Sequence, residues 1–221
     1  MPLSKLKSVS AFAMAASAAL FCAHARAAVI VSNLSDTGGG FVDVGGGNGQ
    51  IDAQEFVTGS QGATLGDVIV SLGFDGGTYD PQGELAANNN GFVGANITAL
   101  NFPAAYSGNV SAALADNVTL TPATNVTLAP NTGYYVILSA GTGDVSGAYV
   151  WNSTGTTSSS FPNYAQSAND GSSWTYDETY GPQLLEVDSP AVPEPASLGI
   201  LALGCIPLLR RRGRLSLFRH S

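Results

Sequence analysis

Basic side chains are confined to the two ends of this 221-residue chain, and this distribution limits how its middle can fold. The basic residues and the cysteines are Lys5, Lys7, Arg26, Arg210, Arg211, Arg212, Arg214, Arg219, His24, His220, Cys22 and Cys205. All 16 acidic residues except Glu194 lie between Asp36 and Asp188, so residues 28–192 carry 15 acidic side chains and no basic one. A domain in this segment can form neither salt bridges nor disulfides. Any acid that it buries must be hydrogen-bonded, protonated or bound to a metal ion.

The same composition excludes several classes of function. Proteins bind nucleic acids through Lys and Arg, which displace counterions from phosphates, so we expect no nucleic-acid partner. The chain has no P-loop motif for nucleotides. Serine and cysteine hydrolases need a basic partner for the nucleophile, and zinc sites are built largely from Cys and His. We therefore expect the domain not to be an enzyme of these kinds.

The C-terminal tail combines three features in a fixed order. A stiff hinge comes first, at Val192, Pro193, Glu194 and Pro195; an apolar run over 197–209 follows, and the cluster Arg210, Arg211 and Arg212 closes it. The prolines keep the hinge extended, and 191–209 is about long enough to cross a bilayer, with the arginines held in the cytoplasm. A buried C-terminal helix of a soluble domain is the alternative. The tail resembles the PEP-CTERM sorting signal, which implies an exosortase-type protease and transient membrane anchoring.

The N-terminus is typical of an export signal. Lys5 and Lys7 precede an apolar, alanine-rich stretch over 9–21, and small residues around Arg26 suit a cleavage site. A lipoprotein signal at Cys22 is the alternative, but Phe21 stands where a small residue is needed. We predict a signal peptide over 1–27, a domain over 28–190, a sorting signal with a transmembrane helix over 191–214, and a cytoplasmic remnant over 215–221. The protein is then exported to the cell envelope or beyond, and is first anchored in the inner membrane.

The domain shows β periodicity throughout. Predicted strands share short alternating apolar runs bounded by turn residues: 29–31, 54–58, 64–74, 94–102, 109–114, 117–120, 134–139, 148–152, 173–176 and 184–187. We read 38–49 as a loop-rich stretch around Phe41–Val44, and expect turns at 75–77, 88–91 and 129–133. Many short strands and no helical pattern predict an all-β fold, a single antiparallel sandwich of jelly-roll type.

Four segments of the domain carry a second resemblance. They are Ala53–Gly59, Leu65–Val68, Leu128–Leu138 and Tyr149–Trp151. They resemble the choice-of-anchor R domain over about 29–187. This resemblance implies an exported β-rich domain joined to a surface anchor. It implies no activity and no catalytic residues.

Two functions fit an exported acidic sandwich. The first is a structural or adhesive protein of the envelope or matrix, associated with exopolysaccharide. The second is a sugar-binding module whose aromatic rings stack on sugar faces; the candidates are Trp151, Tyr164, Trp174, Tyr176 and Tyr180. In the alternative interpretation Trp151 and Tyr135 are core residues, and Trp174 and Tyr176 are half-buried strand residues.

Carboxylates suggest two further sites. Asp75, Asp80 and Glu84 surround a glycine-rich turn and could supply oxygen ligands to calcium. A solvated acidic surface is the alternative there, and we expect no cofactor beyond calcium. A glycoside hydrolase needs only two carboxylates, for which Glu55, Glu84, Glu178 and Glu186 are the candidates. Their spacing singles out no pair, so we predict that the protein is not an enzyme.

Overall fold

The domain was analysed in a computed structural model, which describes residues 27–45, 49–76, 80–106, 117–141, 148–155, 158–176 and 181–191. Ala27–Pro190 forms one compact unit. The predicted signal peptide up to Arg26, the strand predicted over 109–114, and the sorting signal and membrane helix from Val192 onward lie outside the described residues. Within the described ranges no helix has the length and apolar character needed to span a membrane.

The described chain is built from fourteen strands and one short 3₁₀ turn at Ala104–Tyr106. The strands are β1 Val29–Ser32, β2 Gly38–Gly45, β3 Ile51–Val57, β4 Ala63–Thr64, β5 Val68–Gly76, β6 Gln82–Asn89, β7 Phe92–Asn101, β8 Asn117–Pro122, β9 Thr127–Leu128, β10 Gly133–Ser139, β11 Ala148–Thr154, β12 Tyr164–Ser167, β13 Thr175–Tyr176 and β14 Leu185–Asp188. The prediction of an all-β domain is confirmed.

Twelve of the strands form one curled antiparallel sheet. Their order is β1-β14-β5-β8-β7-β6-β10-β3-β12-β13, and β11 pairs with both β5 and β2. The sheet curls at the β7–β8 contact, where only Leu100 and Asn101 find partners on β8. The first and last strands are neighbours, since β1 pairs with β14 and Ser189 N donates to Ala28 O at 2.9 Å.

The main core lies where the two halves of the curled sheet face each other. The β5 residues Val68, Val70 and Leu72, which alternate in the sequence as predicted, are all fully buried. They share one cluster with Phe56 of β3 and Leu85 of β6, from the other half of the sheet. Burial of such side chains stabilises the fold by about 1.5–3 kcal/mol each, in a domain without ionic cross-links.

A second, smaller cluster lies on the outer face of β3, β6, β10 and β12. Its fully or largely buried members are Ala53, Ala86, Tyr135, Ile137 and Ala165, and Ile51, Val93, Trp174 and Tyr176 pack against them. β3 and β10 are therefore buried on both faces, which explains the unbroken apolar run that predicted a strand over 134–139.

The turn predicted around 88–91 is a two-residue hairpin turn. Asn90 and Gly91 join β6 to β7 with φ of 58° and 90°. Both residues therefore adopt left-handed backbone, as a type I′ turn requires, and Asn-Gly is the pair that adopts it most readily. The turn sets the pairing of Asn89 with Phe92 and of Asn88 with Val93, and two register shifts beyond it bring Ala86 opposite Asn96 and Glu84 opposite Ala99.

Several predicted boundaries were wrong. The stretch around Phe41–Val44 belongs to an eight-residue strand, β2, which pairs with β11. Gly39 is required there, because a Cβ at this position would lie 1.7 Å from Ser153 O. The strand predicted over 64–74 is broken at Leu65, whose N–H donates to Val126 O at 2.9 Å. The turn predicted at 75–77 begins too early, because Asp75 and Gly76 are still in β5.

Three strands, β6, β9 and β12, were not predicted at all; β9 is only two residues long. β6 contains Ala, Asn, Gln and Gly, which are poor strand formers, and β12 follows a Ser/Thr-rich segment. β6 and β12 are extended because they pair with strands on both sides: β6 lies between β7 and β10, and β12 lies between β3 and β13. Tertiary pairing overrides weak local preference in sheets.

Candidate functional site

Strand β3 places one buried acid on each of its two faces. Asp52 and Gln54 point with Phe56 towards the core, whereas Ala53 lies in the outer cluster on the face that also carries Glu55. Asp52 is fully buried and Glu55 is 3% exposed. With no basic residue in 28–192, both must be held without a countercharge.

Asp52 is held by three hydrogen bonds. The Tyr164 hydroxyl donates to its carboxyl, and the side-chain amides of Gln50 and Gln166 lie 3.4 Å from it. Burial raises the pKa of Asp52 from 3.8 to about 7, against the lowering effect of these donors, and the nearby charge of Asp43 raises it further. Near neutral pH Asp52 is therefore partly protonated. Protonation is one of the three ways in which a domain without basic residues can hold a buried acid.

Glu55 is satisfied by amide donors. The side-chain N–H groups of Asn88 and Asn163 donate to its two carboxylate oxygens. Burial, and then the charge of Glu55, raise the pKa of Tyr135 above its ordinary range, and the Tyr135 hydroxyl donates to Gly91 O at 2.8 Å. Glu55 is thus buried and hydrogen-bonded through both oxygens without a countercharge, so this cluster supports the sheet.

An open groove crosses the outer face of the sheet beside this cluster. It consists of two adjoining cavities of about 250 and about 320 Å³. Both cavities are lined by Ile51, Glu84, Asn96, Ile137 and Asp170. We call this feature the outer groove. One end continues to Gln50, Gln82, Ser139 and Gly141, and the other to Val93, Gly94, Gly171 and Trp174.

The floor of the outer groove comes from adjacent strands of the sheet. Ile137 of β10 is paired with Glu84 of β6. The Asn96 side-chain amide, from β7, donates to Glu84 Oε2 at 2.5 Å. This row places an apolar surface, a carboxylate and an amide side by side, so it can contact carbon-bound hydrogens and bond hydroxyl or amine groups at once.

The wall of the outer groove is the loop between β12 and β13. Ser167 Oγ accepts from Gly171 N at 2.9 Å, and Asn169 bonds Ser173 through both its oxygen and its amide, at 2.9 and 2.8 Å. These bonds fix the loop that carries Asp170, which is exposed, and Trp174, which is half-buried. A wall held by its own hydrogen bonds needs little ordering when a ligand binds.

The aromatic candidates separate into core and groove residues. Trp151 is fully buried and its indole N–H donates to Leu184 O at 3.0 Å, so it is a core residue, as the alternative interpretation expected, and it offers no face to a sugar. Tyr164 is also a core residue, committed to Asp52. Trp174 lines the outer groove. Tyr176 accepts a hydrogen bond from Val93 N at 2.8 Å and contacts Phe92 edge to face, whereas Tyr180 lies outside the described residues.

Among the described side chains, the calcium candidates form no three-ligand site. Glu84 is in the outer groove, and Asp80 lies before β6, with its Oδ2 3.5 Å from Gln82 Nε2. Asp75 is in β5, but its side chain lies outside the description. Over the described ranges, no three His, Cys, Asp or Glu side chains are grouped so that they could hold a metal ion.

The candidate catalytic carboxylates are also dispersed. Glu55 is enclosed, Glu84 is in the outer groove, and Glu186 is on β14 in the other half of the sheet. Glu178 lies outside the described residues. No pair of these four is placed by the described residues on either side of one ligand, as glycoside hydrolysis requires.

Sequence reasoning missed most residues of the outer groove. Asn96, Ile137 and Asp170 come from β7, β10 and the 168–174 loop, and no motif links them. Of the groove residues, only Glu84, as a carboxylate candidate, and Trp174, as a stacking candidate, were singled out from the sequence. No protein-family model and no curated protein sequence matches this chain, so its own residues must carry the assignment.

Proposed function

We propose that this chain is an exported, non-enzymatic protein of the bacterial envelope or extracellular matrix whose β domain adheres to saccharide through the outer groove. The observation that carries the binding role is the groove itself. It places a half-buried indole, Trp174, beside the polar side chains Glu84, Asn96 and Asp170. Aromatic faces pack on the carbon-bound hydrogens of sugar rings, and carboxylate and amide groups bond the hydroxyls.

The export and sorting roles are supported by the termini. We propose that a signal peptide over 1–27 directs export, and that the Pro193-Glu194-Pro195 tail resembling PEP-CTERM signals holds the protein in the membrane until an exosortase-type protease cuts it. The curled antiparallel sheet supports the proposal of a jelly-roll-like sandwich, a compact module suited to display on a surface. Exopolysaccharide is the proposed partner.

A glycan array tests the binding role. The native product purified from producing cells is compared with Trp174→Ala and with Phe41→Ala, a matched change of an exposed aromatic on β2. We expect binding that Trp174→Ala abolishes and Phe41→Ala leaves unchanged. A blank array, or equal binding by both variants, refutes saccharide recognition in the outer groove.

A further inference from the structure

We infer that the outer groove prefers glycans that contain free amino sugars over neutral glycans and over glycans built from acidic sugars. This inference rests on the proposed saccharide binding and specifies its chemical class. It starts from the two carboxylates, Glu84 and Asp170, that line both cavities of the groove. A glycan lying along the groove therefore passes both of them.

These carboxylates have no countercharge of their own. Glu84 is half-buried and bonded to the neutral amide of Asn96, and Asp170 is exposed. The sequence supplies no Lys, Arg or His anywhere in 28–192. The remaining polar side chains along the groove, Gln50, Gln82 and Ser139, are also neutral. The groove thus presents negative charge that nothing within the domain neutralises.

Covering this surface with a ligand removes water from the carboxylates. A neutral sugar replaces that water with hydroxyl hydrogen bonds only, whereas an ammonium group supplies charge-assisted bonds, which are roughly twice as strong. A uronic acid brings a like charge towards a domain with 15 acidic residues and no basic one. An ammonium group near Trp174 is also attracted to the indole face. All three effects favour an amino sugar.

The test compares oligosaccharides of equal length made of glucosamine, N-acetylglucosamine, glucose or galacturonic acid. Titration calorimetry with the native product is carried out at a pH where the glucosamine amines are protonated. We expect the glucosamine oligomer to bind about tenfold more tightly than the N-acetylated one, and the galacturonate to bind most weakly. The preference should shrink as salt is added.

Three variants separate the explanations. Glu84→Gln and Asp170→Asn should reduce the preference for glucosamine over the N-acetylated oligomer towards parity, because each removes a carboxylate that pairs with the ammonium group. Glu186→Gln removes the same charge from β14, outside the groove, and should leave the preference intact. If Glu186→Gln weakens glucosamine binding as much as Glu84→Gln does, the attraction is to the acidic surface as a whole and the inference is refuted.

The other outcomes distinguish this inference from the proposed function. Binding of the N-acetylated or glucose oligomer as tightly as glucosamine, with loss on Trp174→Ala, refutes the amino-sugar preference and leaves saccharide binding in place. No binding of any oligomer refutes both.

Discussion

Replacing Asp52 with Asn should make the domain more stable, and the gain should grow with pH. In the folded state burial holds the pKa of Asp52 at about 7, whereas its ordinary value is 3.8. The folded protein thus keeps this proton to a higher pH than the unfolded chain does. Its free energy of unfolding therefore falls as pH rises from about 4 to about 7, by about 1.4 kcal/mol per pH unit, and this contribution is flat outside that window.

The size of the effect follows from these two pKa values. Compared with a group that does not ionise, the buried carboxylate lowers the free energy of unfolding by about 4 kcal/mol at pH 8 and by about 2 kcal/mol at pH 5. Asn has the same shape, and its oxygen can accept from Tyr164 as the carboxyl does. We expect the stability difference between Asp52→Asn and the unmodified protein to increase by about 2 to 3 kcal/mol from pH 5 to pH 8.

Urea denaturation followed by tryptophan fluorescence measures this difference, because buried Trp151 reports on unfolding. Asp36→Asn is the matched control, because it removes an Asp from the turn after β1, outside the group of residues around Asp52. The groups around Asp52 are Tyr164, Gln50, Gln166 and the carboxylate of Asp43. A stability difference for Asp52→Asn that does not change with pH would refute a raised pKa at this position.

Three further changes test the fold and the sorting signal. Gly39→Ala should destabilise the domain by about 2 kcal/mol or more, because its Cβ would lie 1.7 Å from Ser153 O. Gly59→Ala is the control and should be near neutral, since there is open space around its Cβ. Thermal denaturation compares the two variants, and equal effects would contradict the close approach of the strands at Gly39. Trp151→Phe should cost about 3 kcal/mol in urea denaturation, since it loses core volume and an indole hydrogen bond, and a cost under about 1 kcal/mol contradicts its burial. Replacing Arg210–Arg212 with Ser should impair retention or processing, and an unchanged mature mass and location of the native product would count against the sorting role.

The fold class was readable from the sequence, because strands such as β5 and β10 carry their own apolar patterns. The Asn-Gly turn and the alternation of Val68, Val70 and Leu72 needed no tertiary information. β6 and β12 were missed for a physical reason. Most of their side chains do not favour strands, and they are extended only because they pair with neighbouring strands that have stronger strand preferences.

The outer groove was not predictable in the same way. Glu84 was singled out as a calcium ligand and Trp174 as a stacking residue, but nothing in the sequence placed them in one groove. Their position in one groove follows only from the order of β7, β6, β10 and β3 in the sheet and from the loop between β12 and β13 that forms the wall of the groove. The sequence indicated how a buried acid could be held, because a domain without basic residues must hydrogen-bond it, protonate it or bind it to a metal ion. Which acids are buried depends on the register of β3.

The adjacency of β1 and β14 also governs how the domain would bear a mechanical load. β14 is hydrogen-bonded on one side to β1 and on the other to β5. Tension applied at the C-terminal end and directed along this strand would stretch both sets of bonds together instead of peeling them singly. Under such a load the domain would resist unfolding until the pairings of β14 with both of its neighbours break at once.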